Sequence, residues 1–277
     1  MKKLSFAFLT IAMFIFLGCS NENSHTKDST ASTDSNKMIV LKVGATPIPH
    51  AEILNHIKPE LKKEGIDLRV VEFTDYVTPN LSLNDKSLDA NFFQTKQYLD
   101  IMNKERNLNL VAIADIHVEP MGLYSKKIKS LDELKEGSTI AVPNDPSNEG
   151  RALLLLQAHN LIKLKDPTSL VSTENDIVEN PKKLHIQPID AALLPKNLSD
   201  PAVAAAVING NYALEAGLAP KDAIIAEDKT SPYGNWLVVR KDEVNNPAIL
   251  KLKAALQSQD VKEYIETTFK GSVIPAF

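Results

Sequence analysis

The residue with the clearest chemical setting in this sequence is Arg151. An apolar run ends at Val142, and a polar segment rich in Pro, Asn and Asp separates it from Arg151. Ser147 is a good helix N-cap, so the pattern predicts a helix over residues 147–159 with Arg151 near its start. An arginine beside the free N–H groups of a helix start can bind a carboxylate or a phosphate. A surface arginine paired with an acid elsewhere fits these residues equally well.

Two asparagines occupy polar loops next to other predicted strands. Asn209 follows the continuously apolar run 202–208, and Asn235 lies in a loop that precedes the strand-like residues 236–240. An amide both donates and accepts hydrogen bonds, so asparagine can bind both charged groups of an amino-acid zwitterion. Ordinary turn formation is the alternative at both positions.

Three aromatic residues fall near the ends of predicted elements within the first hundred residues of the chain. Tyr76 follows a predicted strand, Phe93 ends another, and Tyr98 lies at the start of a helix. Aromatic rings beside polar groups at strand ends would line a largely apolar pocket. Packing in the core is the alternative for each of them.

The elements that position these residues alternate between strand and helix, which predicts an α/β fold with two mostly parallel sheets flanked by helices. Ligands of open parallel sheets bind beyond the carboxyl ends of the strands. The run 202–208 is interpreted as a buried parallel strand, with helix as the alternative because of its alanines. Strands are predicted over residues 38–44, 66–73, 88–93, 108–118, 138–142, 202–208 and 236–240, and helices over 50–64, 147–159, 246–258 and 259–269.

Composition and missing motifs exclude several classes of function. The formal charge is −4, and no block of Lys and Arg offers a surface for nucleic acid. The sequence contains no nucleotide-binding glycine motif, no nucleophile elbow and no H-E-x-x-H zinc motif. Its six histidines form no pair three or four residues apart, and it has one cysteine. We therefore expect a binding protein with no catalytic residues, metal or cofactor.

The N-terminus predicts a lipid anchor. Lys2 and Lys3 precede an apolar run that ends at Gly18, so residues 1–18 are interpreted as a signal peptide. Residues 16–19 resemble a bacterial lipobox, which would make Cys19 the acylated mature N-terminus, with palmitate among its acyl chains. An ordinary signal peptide with a chance cysteine is the alternative. Residues 19–37, rich in Ser, Thr, Asn and Asp, predict a flexible tether. We expect the protein on the extracytoplasmic face of the cell membrane.

Several separate motifs, in order, resemble the NlpA family of lipoproteins, the methionine-binding proteins of amino-acid importers. The resemblance covers nearly all of residues 38–277 and is carried by residues 73–77 (FTDYV), 88–94 (LDANFFQ), 124–128 (YSKKI), 140–156, 206–213 (AVINGNYA) and 231–235 (SPYGN). It implies a two-lobed fold like that of periplasmic binding proteins, with the ligand in the cleft between lobes. The first lobe would contain residues 38–122 and 229–277, and the second lobe residues 123–228.

The resemblance also implies roles and partners. Arg151 would bind the carboxylate of methionine, and Asn209 and Asn235 its polar α-groups. The residues of the side-chain pocket would be Tyr76, Phe93 and Tyr98, together with Thr95 and Asn91 from the same motif. The partners would be a small amino acid, the membrane, and the permease and ATPase of an ABC importer. A methionine dipeptide, D-methionine or another apolar amino acid are alternative ligands, and a surface adhesin is an alternative role.

One departure from the family pattern affects the side-chain end of the pocket. After Phe93 and Gln94, the family carries His and then Pro before the Tyr, whereas this chain has Thr95 and Gln97. Threonine is smaller than histidine and lacks a titratable ring. We therefore predict a wider or more polar pocket around the ligand side chain.

Overall fold

A computed structural model describes residues 38–277 of the chain. The predicted signal peptide, the anchor residue Cys19 and the tether 19–37 all lie outside the described residues. Within residues 38–277, no helix is both long enough and apolar enough to cross a membrane.

Residues 38–277 contain thirteen strands, several of them only two or three residues long. In chain order they are β1 (Ile39–Ala45), β2 (Ile66–Glu72), β3 (Ala90–Thr95), β4 (Leu110–Val118), β5 (Gly122–Tyr124), β6 (Thr139–Pro143), β7 (Lys163–Leu164), β8 (Ile177–Glu179), β9 (His185–Ile189), β10 (Val203–Ile208), β11 (Ile225–Ala226), β12 (Gly234–Arg240) and β13 (Ile274–Pro275).

Eight α-helices connect or flank these strands within the same residues. They are α1 (Glu52–Lys63), α2 (Thr78–Asn84), α3 (Lys96–Arg106), α4 (Pro146–Ala158), α5 (Leu194–Asn197), α6 (Gly210–Glu215), α7 (Pro247–Leu256) and α8 (Gln259–Phe269). Helix α1 shows why the spacing of apolar residues predicts a helix. Ile53, Ile57 and Leu61 are buried on one face of α1, and the chain turns at Gly65, where φ is +79°.

The first sheet has six strands in the order β13-β4-β12-β3-β1-β2, and the second has five in the order β11-β5-β10-β6-β9. The expectation of mostly parallel sheets is wrong, because both are mixed. Strand β1 runs parallel to β2 and β3, and β6 runs parallel to β9 and β10. The pairs of β12 with β3 and β4, and of β5 with β10 and β11, are antiparallel. Parallel neighbours need a long crossover such as α1, whereas β12 enters the first sheet directly from the second.

The chain passes between the two sheets twice. Residues 119–121, the first crossing segment, lead from β4 to β5, and residues 227–233, the second crossing segment, lead from β11 back to β12. Each sheet has its own apolar core. Leu54, Leu237 and Leu252 are fully buried in the first core, and Ile140 and Leu153 are fully buried in the second. This path is compatible with the predicted lobe boundaries near residues 122 and 228, which stay a prediction.

Two local predictions need correction. Helix α4 starts one residue earlier than predicted, and its N-cap is Asp145 instead of Ser147. The Asp145 side chain accepts a hydrogen bond from the Asn148 backbone N–H at 3.0 Å, and Pro146 fills the first helical position, where no N–H is needed. Helix α2 was not predicted at all. The interpretation of 202–208 as a buried strand is confirmed, since β10 lies beside β5 and β6 in the second sheet.

Candidate ligand-binding site

A cavity with an empty volume of about 340 Å³ lies where strands of both sheets end. Seven of the eight predicted ligand-binding residues line it, and Asn91 does not. The lining residues are Tyr76, Phe93, Gln94, Thr95, Tyr98, Glu119, Asn148, Arg151, Asn209, Gly210, Asn211 and Asn235.

Local structure explains how the two sides of the cavity are built. On the first side, β3 ends at Thr95, whose hydroxyl caps α3 by accepting a hydrogen bond from the Tyr98 N–H at 3.3 Å. On the second side, Asn209 directly follows β10 and occupies the N-cap position of α6, and Gly210 and Asn211 after it line the cavity. On both sides, a helix begins where a strand ends, and the residues at that junction line the cavity. This is the usual location of a ligand site in an α/β protein.

Arg151 is buried at the polar end of the cavity, with 4% of its side chain exposed. Its Nε donates to Glu227 Oε1 at 2.8 Å and its Nη2 donates to Glu227 Oε2 at 2.6 Å. A further Nη2 bond reaches the Glu119 carbonyl oxygen at 2.8 Å. The Tyr233 ring lies against the guanidinium, with Cζ 4.3 Å from the ring centroid. The arginine is therefore fixed from two edges and one face.

The pairing with Glu227 determines the charge of this end of the site. Burial alone would raise the pKa of Glu227, but the Arg151 guanidinium beside it holds that pKa below its usual range. Burial opposes the charge of Arg151, yet Glu227 raises the pKa of the guanidinium. Both groups are therefore ionised. Among residues 38–277, Arg151 Nη1 has no hydrogen-bond partner, so the arginine is paired and still has one nitrogen for a ligand.

Asparagines on the second side of the cavity make two separate hydrogen bonds, one of them to Tyr76. Asn209 Nδ2 donates to Asn148 Oδ1 at 2.8 Å, and Tyr76 donates to Asn211 Oδ1 at 2.5 Å. Among the described residues, Asn209 Oδ1 and Asn211 Nδ2 are buried without a partner. A buried polar atom without a partner costs free energy, so these two atoms are candidates to bind the acceptor and donor groups of a ligand.

A buried group of His50, His117 and Glu119 lies beside the polar end. His117 Nε2 lies 2.7 Å from Glu119 Oε1, and His50 Nε2 lies 3.3 Å from the same oxygen and 3.2 Å from Asn235 Oδ1. Burial lowers the pKa of His50 to about 4, against an opposing effect of Glu119, and lowers the pKa of His117 to about 3. Burial also raises the pKa of Glu119. Both histidines are therefore neutral and orient Glu119 and Asn235 through hydrogen bonds.

The same three residues could in principle hold a metal ion, because their ligand atoms lie within 4.8 Å of one another. Two ligands of a tetrahedral zinc ion are about 3.3 Å apart. The distance of 2.7 Å between His117 Nε2 and Glu119 Oε1 is instead that of a hydrogen bond. We therefore interpret the group as a hydrogen-bonded cluster, and the expected absence of a metal stays a prediction.

The other end of the cavity is aromatic. The ring centroid of Tyr76 lies 6.0 Å from that of Phe93 and 5.8 Å from that of Tyr98, and Tyr98 donates to the Tyr76 carbonyl oxygen at 3.0 Å. Tyr212 stacks on Tyr76 from the second sheet, with centroids 4.9 Å apart. These rings form the apolar wall that the sequence predicts at this place.

Asn91 does not reach the cavity. It is fully buried, and its Nδ2 donates to the Pro79 carbonyl oxygen at 3.3 Å and to Asn80 Oδ1 at 2.9 Å. Its Oδ1 accepts from Gln94 Nε2 at 2.9 Å, and Gln94 does line the cavity. The predicted ligand contact of Asn91 is therefore replaced by a supporting role. The cause is position along the strand: Asn91 is the second residue of β3, further from the carboxyl end than Phe93 and Thr95, and its amide is already used by Pro79, Asn80 and Gln94.

Sequence reasoning missed five lining residues, which are Gln94, Glu119, Asn148, Gly210 and Asn211. Four of them follow or end strands that were predicted, so the rule about strand ends could have found them. Glu119 comes directly after the predicted strand 108–118, and Asn148 lies in the same loop as Arg151. Glu227 carried no comparable signal, because its partner Arg151 is 76 residues away in sequence.

Comparison with known proteins places the chain in a family. Residues 41–277 match the model of NlpA lipoprotein. The D-methionine-binding lipoprotein MetQ of Escherichia coli K12 is 50% identical over 213 residues, 76% of this chain and 79% of the relative. Outer membrane lipoprotein 2 of Mannheimia haemolytica is 43% identical and covers 99% of this chain and 98% of the relative.

A solved structure gives the same result for the fold. The nutrient-binding protein from Burkholderia cenocepacia bound to methionine has a TM-score of 0.82 and 50% identity, and the match covers 86% of this chain and all of that one. The functional names among these relatives are those of binding proteins, which agrees with the expectation that the chain is not an enzyme. The α/β fold, the motifs and the matches over most of the chain agree, and the chain belongs to the NlpA lipoprotein family.

Proposed function

We propose that this protein binds a free amino acid with an apolar side chain, L-methionine first, and delivers it to an ABC importer. One observation carries the proposal: a single small cavity combines a fixed arginine and unpartnered amides at one end with aromatic rings at the other. Relatives named for D-methionine binding, and a similar protein solved with methionine bound, support methionine as the ligand, and the L form is part of the proposal. Anchoring through Cys19 would keep the protein near the permease.

The polar end is suited to a zwitterion. Arg151 Nη1 and Asn211 Nδ2 are donors for the ligand carboxylate, and Asn209 Oδ1 and the Glu119 carboxylate are acceptors for its ammonium group. Charge-assisted hydrogen bonds are strong in a buried site because little water screens them. The ligand side chain would then lie against Tyr76, Phe93 and Tyr98, where burial contributes roughly 25 cal/mol per Å² of apolar surface.

Binding would couple to closure of the two lobes around the ligand. The donors and acceptors come from both sheets, and the chain crosses between the sheets at residues 119–121 and 227–233. A ligand that contacts both sides stabilises the arrangement in which they are close. The closed form is the one that we expect the permease to receive.

The test is calorimetric titration of the full chain with L-methionine, D-methionine, glycyl-methionine and leucine. We expect the tightest binding for L-methionine. In Arg151→Ala that binding falls at least about a hundredfold, because the buried carboxylate loses its charged donor. Arg69→Ala, which removes an exposed arginine paired with Asp67, is the matched control and should bind as the wild type does.

Because Arg151→Ala leaves Glu227 buried and unpaired, it can also lower stability. Asn209→Ala therefore serves as a second variant, with an expected loss of about tenfold in affinity. Wild-type affinity for L-methionine in both variants would contradict the site. Tightest binding of D-methionine or the dipeptide would change the ligand, and no binding of any of the four compounds would favour a surface role without transport.

A further inference from the structure

Glu227 lies outside the cavity lining, yet it holds the one charged donor at the polar end. Its two carboxylate oxygens accept from Arg151 Nε and Nη2 at 2.8 and 2.6 Å. Oε2 also accepts from the Met121 backbone N–H at 3.1 Å and from the Ser231 hydroxyl at 3.0 Å. Four donors therefore converge on a carboxylate whose side chain is only 12% exposed.

These contacts connect Arg151 to both crossing segments. Met121 belongs to the first crossing segment, and Glu227 and Ser231 belong to the second. Arg151 itself, from helix α4, donates to the Glu119 carbonyl oxygen in the first crossing segment at 2.8 Å. The guanidinium is thus positioned relative to the two stretches of chain about which the lobes would move.

The hydrogen bonds also determine which donor remains for a ligand. A guanidinium has five N–H donors, and Glu227 and Glu119 use three of them, on Nε and Nη2. Both donors of Nη1 remain without a partner among residues 38–277. Without the two-point contact to Glu227, the long arginine side chain could rotate and present any of its edges to the cavity.

We propose that Glu227 is a positioning residue of the ligand site: by binding one edge of Arg151 and both crossing segments, it presents Nη1 to the carboxylate of an amino acid. The inference rests on the proposed function, because it needs a ligand that carries a carboxylate. It assigns Glu227 no contact with the ligand. It also predicts an effect confined to the carboxylate end of the ligand.

The test compares two ligands in the full chain by calorimetry: L-methionine and L-methioninol, in which an alcohol replaces the carboxylate. In Glu227→Gln, an NH₂ group replaces one of the two carboxylate oxygens in either amide orientation, so Arg151 loses at least one of its two bonds to residue 227 together with the negative charge. We expect the affinity for L-methionine to fall at least about tenfold, the size of one hydrogen bond to a charged group, and that for L-methioninol to change less than twofold. Glu227→Asp, which keeps the charge, should restore part of the methionine affinity.

Glu179→Gln is the matched control, because it removes the acid of an exposed pair with Lys163. It should leave both affinities unchanged. If Glu227→Gln does not fold, as circular dichroism would show, Ser231→Ala replaces it: this variant removes one hydrogen bond to Glu227 and should weaken L-methionine alone.

Three results would overturn the inference while leaving the proposed function intact. These are unchanged methionine affinity, equal losses for both ligands, which indicate a general structural role, and tighter methionine binding, which indicates that Glu227 competes with the ligand carboxylate. If the wild type binds no methionine, the proposed function fails and the inference fails with it.

Discussion

Thr95 combines two roles that a single substitution can separate. Its hydroxyl caps helix α3 through the Tyr98 N–H, and its side chain also lines the cavity between Phe93 and Tyr98. The resemblance to the NlpA family implies histidine at this position, so the threonine is the predicted departure from the family pattern that lies in the cavity lining. The residue is buried, so any larger side chain must enter the cavity or displace its neighbours.

We predict that Thr95→His narrows the range of ligands. The imidazole would occupy part of the 340 Å³ cavity, so glycyl-methionine and other larger ligands should lose affinity relative to L-methionine. Loss of the cap should lower the free energy of unfolding by about 1 kcal/mol. Calorimetry against the ligand panel and thermal unfolding measure the two effects.

Thr95→Ser keeps the capping hydroxyl and should retain the wild-type ranking. The same ligand ranking in wild type and Thr95→His would show that position 95 does not determine specificity.

At the scale of elements, helix α6 connects the two sides of the cavity. Tyr212 donates to the Thr74 carbonyl oxygen at 3.0 Å, and Tyr76 donates to Asn211 from the opposite side. Gly210 permits this approach, because a Cβ there would lie 2.6 Å from Glu119 Cβ. The short helix therefore lines the cavity and also joins its two sides.

We predict that Tyr212→Phe weakens ligand binding without touching the ligand. The variant keeps the ring that stacks on Tyr76 and removes only the hydroxyl that reaches Thr74. The lost hydrogen bond is worth about 1 kcal/mol, which corresponds to about a fivefold loss in affinity if it forms only on closure. Small-angle scattering should show a larger radius of gyration for the variant at subsaturating L-methionine.

Tyr264→Phe, next to His56 and remote from the cavity lining, is the control. Equal affinities for Tyr212→Phe and wild type would show that this contact does not stabilise closure.

The elements also show where prediction from sequence succeeds and where it fails. Periodicity located α1, α7, α8 and most of the longer strands, because an apolar face is a local property of the chain. It failed for α2, a short helix starting with a Thr-Pro pair, and for the antiparallel orientation of β12. Strand direction depends on which sheet the chain has just left, and no window of neighbouring residues contains that information.

For the site, the rule about strand ends located Arg151 and Asn209. Asn235, predicted in a loop before a strand, is instead the second residue of β12, and the cavity brings the three residues together. The rule could not distinguish Asn91, which lies further from the strand end and does not reach the cavity, from Phe93 on the same strand. It also gave no partner for Arg151. Specific pairs between distant side chains, such as Arg151 with Glu227, follow from the packed fold and not from spacing.

At the scale of the whole molecule, two buried neutral histidines determine part of the response to acid. His50 and His117 are completely buried in the folded protein, where burial lowers their pKa to about 4 and about 3. In the unfolded chain a histidine has a pKa near 6.5. Between these values the unfolded state binds protons that the folded state does not, so stability falls as the pH decreases from about 6.5 towards 4.

We predict that His117→Gln removes its share of this acid sensitivity. Glutamine can still donate to Glu119 but has no proton to gain on unfolding. At pH 5, a histidine with an unfolded pKa near 6.5 lowers the free energy of unfolding by about 2 kcal/mol relative to pH 8. The drop between pH 8 and pH 5 should therefore be smaller by about that amount in the variant, measured by urea unfolding. Acids with raised pKa values, such as the half-buried Asp115 at about 6, oppose the trend in both proteins, so the difference between wild type and variant reports on His117 and its neighbours His50 and Glu119. His185→Gln, at an exposed position, should keep the wild-type pH profile. Parallel profiles for wild type and His117→Gln would mean that His117 is protonated in the folded protein as readily as in the unfolded chain.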